Sequence, residues 1–312
     1  MKNMYVLAVI IVIVFAACSD EKQESNNPLD YPAEIHGTIK DRSGAESRTI
    51  GTAWMDGDLI GVTTAAGISD LSFVVTEDRN VKYAYNSEKN MFDVVSDEGE
   101  DNNIYFKGPY IMKMTAYYPY VGEKGELAGV INSITTADKQ SAETRSEIDY
   151  LFAESGGSQK QTKVNFLFTH RMSQLVLSFR AGEGVNLNDI TYNLKGVVLE
   201  GTFNTATGEA ACEKETVPSN IEGSIKKATE MHSSLILFPQ KLLSTTVLEV
   251  AMGEKTYAAT FDADVDMKSG YIYTFTITLA PQAMTIGPAN IENWTPSTES
   301  GNDHYGVAGE AK

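Results

Sequence analysis

Apolar and polar residues alternate along most of this chain. In "AEIHGTIK", Ala33, Ile35, Gly37 and Ile39 alternate with Glu34, His36, Thr38 and Lys40. Period two over such a run predicts a half-buried strand. The clearest case is "YIYTFTITL", where Tyr271, Tyr273, Phe275, Ile277 and Leu279 share one face and Ile272, Thr274, Thr276 and Thr278 the other. Between these lie short β-prone runs such as "DLIGVTT", "VKYAYN", "KMTAYYPY", "KVNFLFTHRMSQLVLSF" and "TVLEVAMGEKTYAATFD". Gly, Asp, Asn and Ser separate them, as turns require. Pro119 is expected to end an edge strand. There is no sustained 3.6-residue period, no heptad and no fixed repeat. The pattern therefore predicts an all-β chain built of β-sandwiches. "DKQSAETRSEIDYLF", Asp138 to Phe152, is the least strand-like part and is expected to hold a loop or a helical turn. The glycine-containing "AESGGSQKQT", Ala153 to Thr162, reads as a joint between two units, residues 31–162 and 163–296, with a polar tail at 297–312.

The N-terminus breaks the alternation. Residues Met4 to Ala17 are uninterruptedly apolar. At 1.5 Å per residue this run covers about 21 Å, short of a hydrocarbon core of about 30 Å. Lys2 precedes it and Ala16-Ala17 end it, the layout of a secretory signal over residues 1–17. Phe15-Ala16-Ala17-Cys18 resembles a bacterial lipobox, which implies lipid attachment at Cys18 and a polar tether over 18–30. Ser19-Asp20-Glu21 resembles the acidic signals that direct lipoproteins to the outer face in Bacteroidetes.

The formal net charge of −17 and a pI near 4.6 exclude a nucleic-acid binder and a basic membrane-surface helix. If Cys18 is acylated, Cys212 is the sole remaining thiol, and no disulfide forms within the mature chain. Cys212 reads as a half-buried strand residue. His36, His170, His232 and His304 are scattered, without zinc spacing. Asp262, Asp264 and Asp266 mimic the start of a calcium loop, but the glycine place after them holds no glycine and Tyr273 occupies the glutamate place. Neither a catalytic motif nor a cofactor-binding motif is present. No metal, no cofactor and no enzymatic activity is expected.

Five segments, in order, resemble the fimbrillin family of Bacteroidetes, the subunits of type V pili. They are "SRTIGTAWMDGDLIGV", "MTAYYPY", "SEIDYLFAE", "VNFLFTHRMSQLVLSF" and "ANIENWTP", carrying Arg48, Trp54, Gly57-Asp58, Asp149, Phe168, His170, Ile291 and Trp294. The resemblance implies two tandem transthyretin-like antiparallel β-sandwich domains. It implies a surface-exposed outer-membrane lipoprotein precursor that an arginine-specific protease cuts, here after Arg48, with Arg42 the rival site. It implies assembly with other fimbrial subunits by donor-strand exchange, in which the N-terminal strand bearing Ile35 and Ile39 is replaced, and a role in adhesion to a host or bacterial target. Trp54 is expected to pack over the Gly57-Asp58 turn, and His170 to be a satisfied structural histidine. In the C-terminal tail only Tyr305 and Val307 alternate, which makes it a poor donor strand by itself. The alternative is a monomeric surface lipoprotein that binds glycans for nutrient uptake. It would retain its first strand and its lipid.

Overall fold

The computed structural model describes residues 31–40, 53–64, 78–96, 98–106, 111–123, 126, 129–213, 217–228 and 231–294. Cys18, Arg42, Arg48 and the tail lie outside the described residues. The first half contributes β1 (Tyr31–Pro32), β2 (Glu34–Ile39), β3 (Leu59–Thr64), β4 (Val81–Asn86), β5 (Met91–Val94), β6 (Tyr105–Phe106), β7 (Met112–Tyr118), β8 (Val130–Ile134), β9 (Leu151–Gly157) and β10 (Lys163–His170). The second contributes β11 (Ser173–Ala181), β12 (Ile190–Val197), β13 (Glu200–Asn204), β14 (Ala210–Cys212), β15 (Ser219–Ile225), β16 (Met231–Leu237), β17 (Gln240–Leu242), β18 (Val247–Met252), β19 (Lys255–Thr260), β20 (Val265–Met267), β21 (Tyr271–Leu279), β22 (Met284–Ile286) and β23 (Asn290–Asn293). Two short 3₁₀ turns, Ala137–Gln140 and Arg145–Glu147, occupy the stretch that lacked strand character. The chain is all-β, as its alternation predicts.

In the first half, strands close on themselves in the order β10-β2-β5-β4-β3-β7-β9. β10 shows why. Val164, Phe166, Phe168 and His170 are buried, while Lys163, Asn165 and Leu167 face out. Inward rows of this kind fill the closed sheet with Ile35, Val62, Tyr83, Phe92, Met114 and Phe166. Closure leaves no free edge on this sheet. In the second half, a sheet of β16-β11-β21-β22, with β23 also on β21, shares a core with the sheet β15-β12-β18-β19. In β21, Tyr273, Phe275, Ile277 and Leu279 point into that core, as their alternation predicts.

Two pairings depart from an antiparallel expectation. β2 runs parallel to β10, and β11 runs parallel to β21. A parallel pair needs a long crossover, and in both cases a large part of the chain intervenes.

The expected joint is also corrected. Residues Ala153 to Gly157 belong to β9, a central strand paired with β7. Ser158 and Gln161 bridge to turn the chain into β10. Gly157 serves space here: a Cβ would lie 2.3 Å from Phe106 Cζ and 2.9 Å from Val164 Cγ2. β10 therefore belongs with the first sheet, and the chain passes to the second at Arg171–Met172 rather than at Thr162–Lys163. Pro119 does follow a strand, after a cis bond, but β7 lies between β3 and β9 and is not an edge.

A third apolar cluster joins the halves. Tyr117, Tyr150 and Phe152 meet Met172, Phe203, Ile236, Phe238 and Trp294. β8 crosses the same divide and pairs with β13.

Candidate functional site

β2 is the seam of the closed sheet. Six residues, Glu34 to Ile39, are matched one for one with Lys163 to Phe168 of β10. On the other side, only Ile35 is matched, with Phe92 of β5. The ladder is tied off at both ends: Glu34 N–H donates to Thr162 O at 3.0 Å, and Lys40 N–H to Phe168 O at 2.8 Å. Ile35 is fully buried and Ile39 packs partly buried against the same core. Both side chains named from the sequence thus occupy inward sockets. His36 lies on the outer face, with Nδ1 3.2 Å from Asn90 O.

Gly37, between those sockets, is covered by an aromatic cluster. The Trp54 indole N–H donates to Gly37 O at 2.9 Å. Trp54 meets Phe92 and Phe168 edge-on, with centroids at 5.1 Å in each case, and Tyr118 at 5.4 Å. Trp54 therefore packs over β2, rather than over the Gly57-Asp58 turn expected of it. That turn is linked to Trp54 through Tyr118. Gly57 takes the left-handed conformation, φ +86°, and Asp58 N–H donates to Met55 O at 3.0 Å. The Asp58 carboxylate accepts from Met55 N–H at 2.8 Å and from the Tyr118 hydroxyl at 3.2 Å. Burial raises the Asp58 pKa, and burial beside that carboxylate raises Tyr118 as well.

Three further family-like residues, Asp149, His170 and Trp294, form a second cluster. His170 Nδ1 lies 2.8 Å from Asp149 Oδ1, both buried. The His170 ring stacks on Trp294 at 4.0 Å with 5° between planes. His170 is thus the satisfied structural histidine that was expected, and its partner is the aspartate of another segment. Asp149, His170 and Trp294 are far apart in sequence, and only the strand order brings them together.

The other candidates are occupied locally. Asp264 pairs with Lys241 at 2.8 Å, and the Lys241 hydrogen bond lowers its pKa to about 2. Among the described residues, no group of three or more His, Cys, Asp or Glu side chains is placed to hold a metal. Cys212 is half-buried in β14, and burial pushes its thiol up to about 11. The reactive species is the thiolate. In a chain whose Cys18 is replaced by serine, maleimide labelling of Cys212 at pH 8 is expected to run about 100-fold slower than for a free cysteine. Labelling should accelerate as pH approaches 11; fast labelling at pH 8 would contradict the burial.

A model of the family described as fimbrillin-like matches residues 47–294. The crystal structure of a "putative cell adhesion protein" from Bacteroides ovatus ATCC 8483 is 34% identical, with a TM-score of 0.76, over 86% of this chain and 99% of that one. A second protein so described, from Bacteroides uniformis ATCC 8492, is 20% identical with a TM-score of 0.61, over 85% of this chain and 99% of that one, and shares the fold. None of the curated proteins matches. With the family model spanning both sheet systems and a folded relative a third identical along nearly its whole length, this chain belongs to the fimbrillin-like family.

Proposed function

We propose that this protein is a fimbrial subunit, delivered as a lipoprotein through Cys18, cut after Arg48 and assembled by exchange of β2 for a strand of another subunit. The fimbrillin-like family and a relative described as a putative cell adhesion protein support a cell-surface, fimbrial location. The observation that carries the exchange reading is the one-sided seat of β2: six matched residues on β10 against one on β5. Withdrawal of such a strand opens the closed sheet between β10 and β5. It bares unpaired backbone on β10 and the socket of Ile35, both of which favour an incoming strand. The proposed partners are other fimbrial subunits, an arginine-specific protease, the outer membrane while the lipid is attached, and an adhesion target. Cutting after Arg48 would remove Cys18, its lipid and β2 as one piece.

N-terminal sequencing of surface-extracted protein tests this reading. The expected mature start is Thr49, with heat-resistant ladders of polymer, and Arg48→Ala should abolish both. A mature start at Cys18 alone would overturn it, and a stable lipidated monomer would return the glycan-binding alternative.

A further inference from the structure

We propose that the seat of β2 selects its occupant by a glycine: a strand enters only when it carries no side chain at the position of Gly37. The proposal rests on the exchange reading above and adds to it the chemistry of the strand that is accepted.

Gly37 does not have the left-handed backbone that would by itself call for glycine. Its requirement is space. A Cβ built there would lie 2.9 Å from Phe168 Cε2 and 2.9 Å from Phe92 Cε2, closer than real contacts allow. Both rings are buried, and the Trp54 indole holds each of them edge-on at 80° and 82°. The same indole bonds the Gly37 carbonyl at 2.9 Å, so it closes over the strand from the remaining side. Interiors are packed too densely for two stiff rings to yield without disturbing their neighbours. The seat thus reads a five-residue pattern. It wants a buried apolar side chain at the Ile35 place, nothing at the Gly37 place and a smaller apolar contact at the Ile39 place.

Alternation alone does not reveal that pattern, because glycine counts there as a gap. Within this sequence, Val307, Gly309 and Ala311 have the spacing of Ile35, Gly37 and Ile39. The polar tail, a poor strand by apolar content, therefore meets the rule of the gate and serves as an independent probe of it.

The test uses the full chain, nicked after Arg48, and labelled synthetic peptides of residues 33–40 and 305–312. Each peptide is made with glycine or with valine at the gate place. The glycine peptides are expected to displace the native segment, and the valine versions to incorporate at least tenfold less. Equal uptake of both versions overturns the gate while leaving strand exchange standing. No uptake of any peptide overturns the exchange reading and the gate with it. In the intact chain, Gly37→Val should lower the melting temperature, and adding Phe168→Ala should recover part of that loss relative to Phe168→Ala alone. A Gly37→Val chain as stable as the parent overturns the gate.

Discussion

Replacing Trp294 by alanine is expected to lower the unfolding free energy by about 4 kcal/mol, the range for truncating a buried large aromatic. Trp294 is 2% exposed and belongs to the cluster that joins the two halves. One of its faces lies on His170, from the last strand of the closed sheet. Its backbone N–H donates to Gly270 O at 2.7 Å, and Gly270 N–H donates to Met172 O at 2.8 Å, so it stands where the chain crosses between sheets. The truncation removes the ring and leaves a cavity that Tyr117, Phe152, Ile236 and Phe238 are too constrained to fill. Urea unfolding followed by circular dichroism measures the effect. Trp294→Phe, which retains an aromatic ring, should lose less than half as much. A loss below about 1 kcal/mol for the alanine variant would show that the cluster does not join the halves.

Asp149→Ala is expected to cost about 3 kcal/mol, because it leaves the buried imidazole of His170 without the partner that now lies at 2.8 Å. Adding His170→Leu removes the orphaned group. The double variant should then be more stable than the sum of the two single losses predicts, by about 1–3 kcal/mol. Asp149→Asn keeps an acceptor oxygen and should recover part of the loss. Strict additivity in the cycle would mean that the two side chains do not act as a pair.

Much of the fold was legible in local patterns. The alternation of β2 and β21 assigned both strands and their buried faces, because period two is a property of a single strand. Cys212 lies half-buried in a strand, as expected of it. The glycine run at Ala153–Gly157 misled. In sequence, glycine for flexibility and glycine for close approach look alike, and the second applies here, where Phe106 and Val164 press against Gly157. Trp54 bonds Gly37 rather than covering the turn beside it, and a contact so far along the chain leaves no local mark in the sequence.

The family-like segments were visible as separate words, with no sign of how they combine. That Trp54, Phe92 and Phe168 enclose Gly37, and that Asp149, His170 and Trp294 form one cluster, depends on which strands become neighbours.

The sequence by itself determined that this chain is all-β, which faces of its strands are buried, that its surface is acidic and that its start carries a lipobox-like cysteine. Tertiary structure alone decided that β2 closes a sheet in parallel with β10, and that β10 belongs to the first half. The reason is physical: alternation specifies which side of a strand meets the core, whereas the choice of hydrogen-bonding neighbour is made across distances in the chain that no local pattern records.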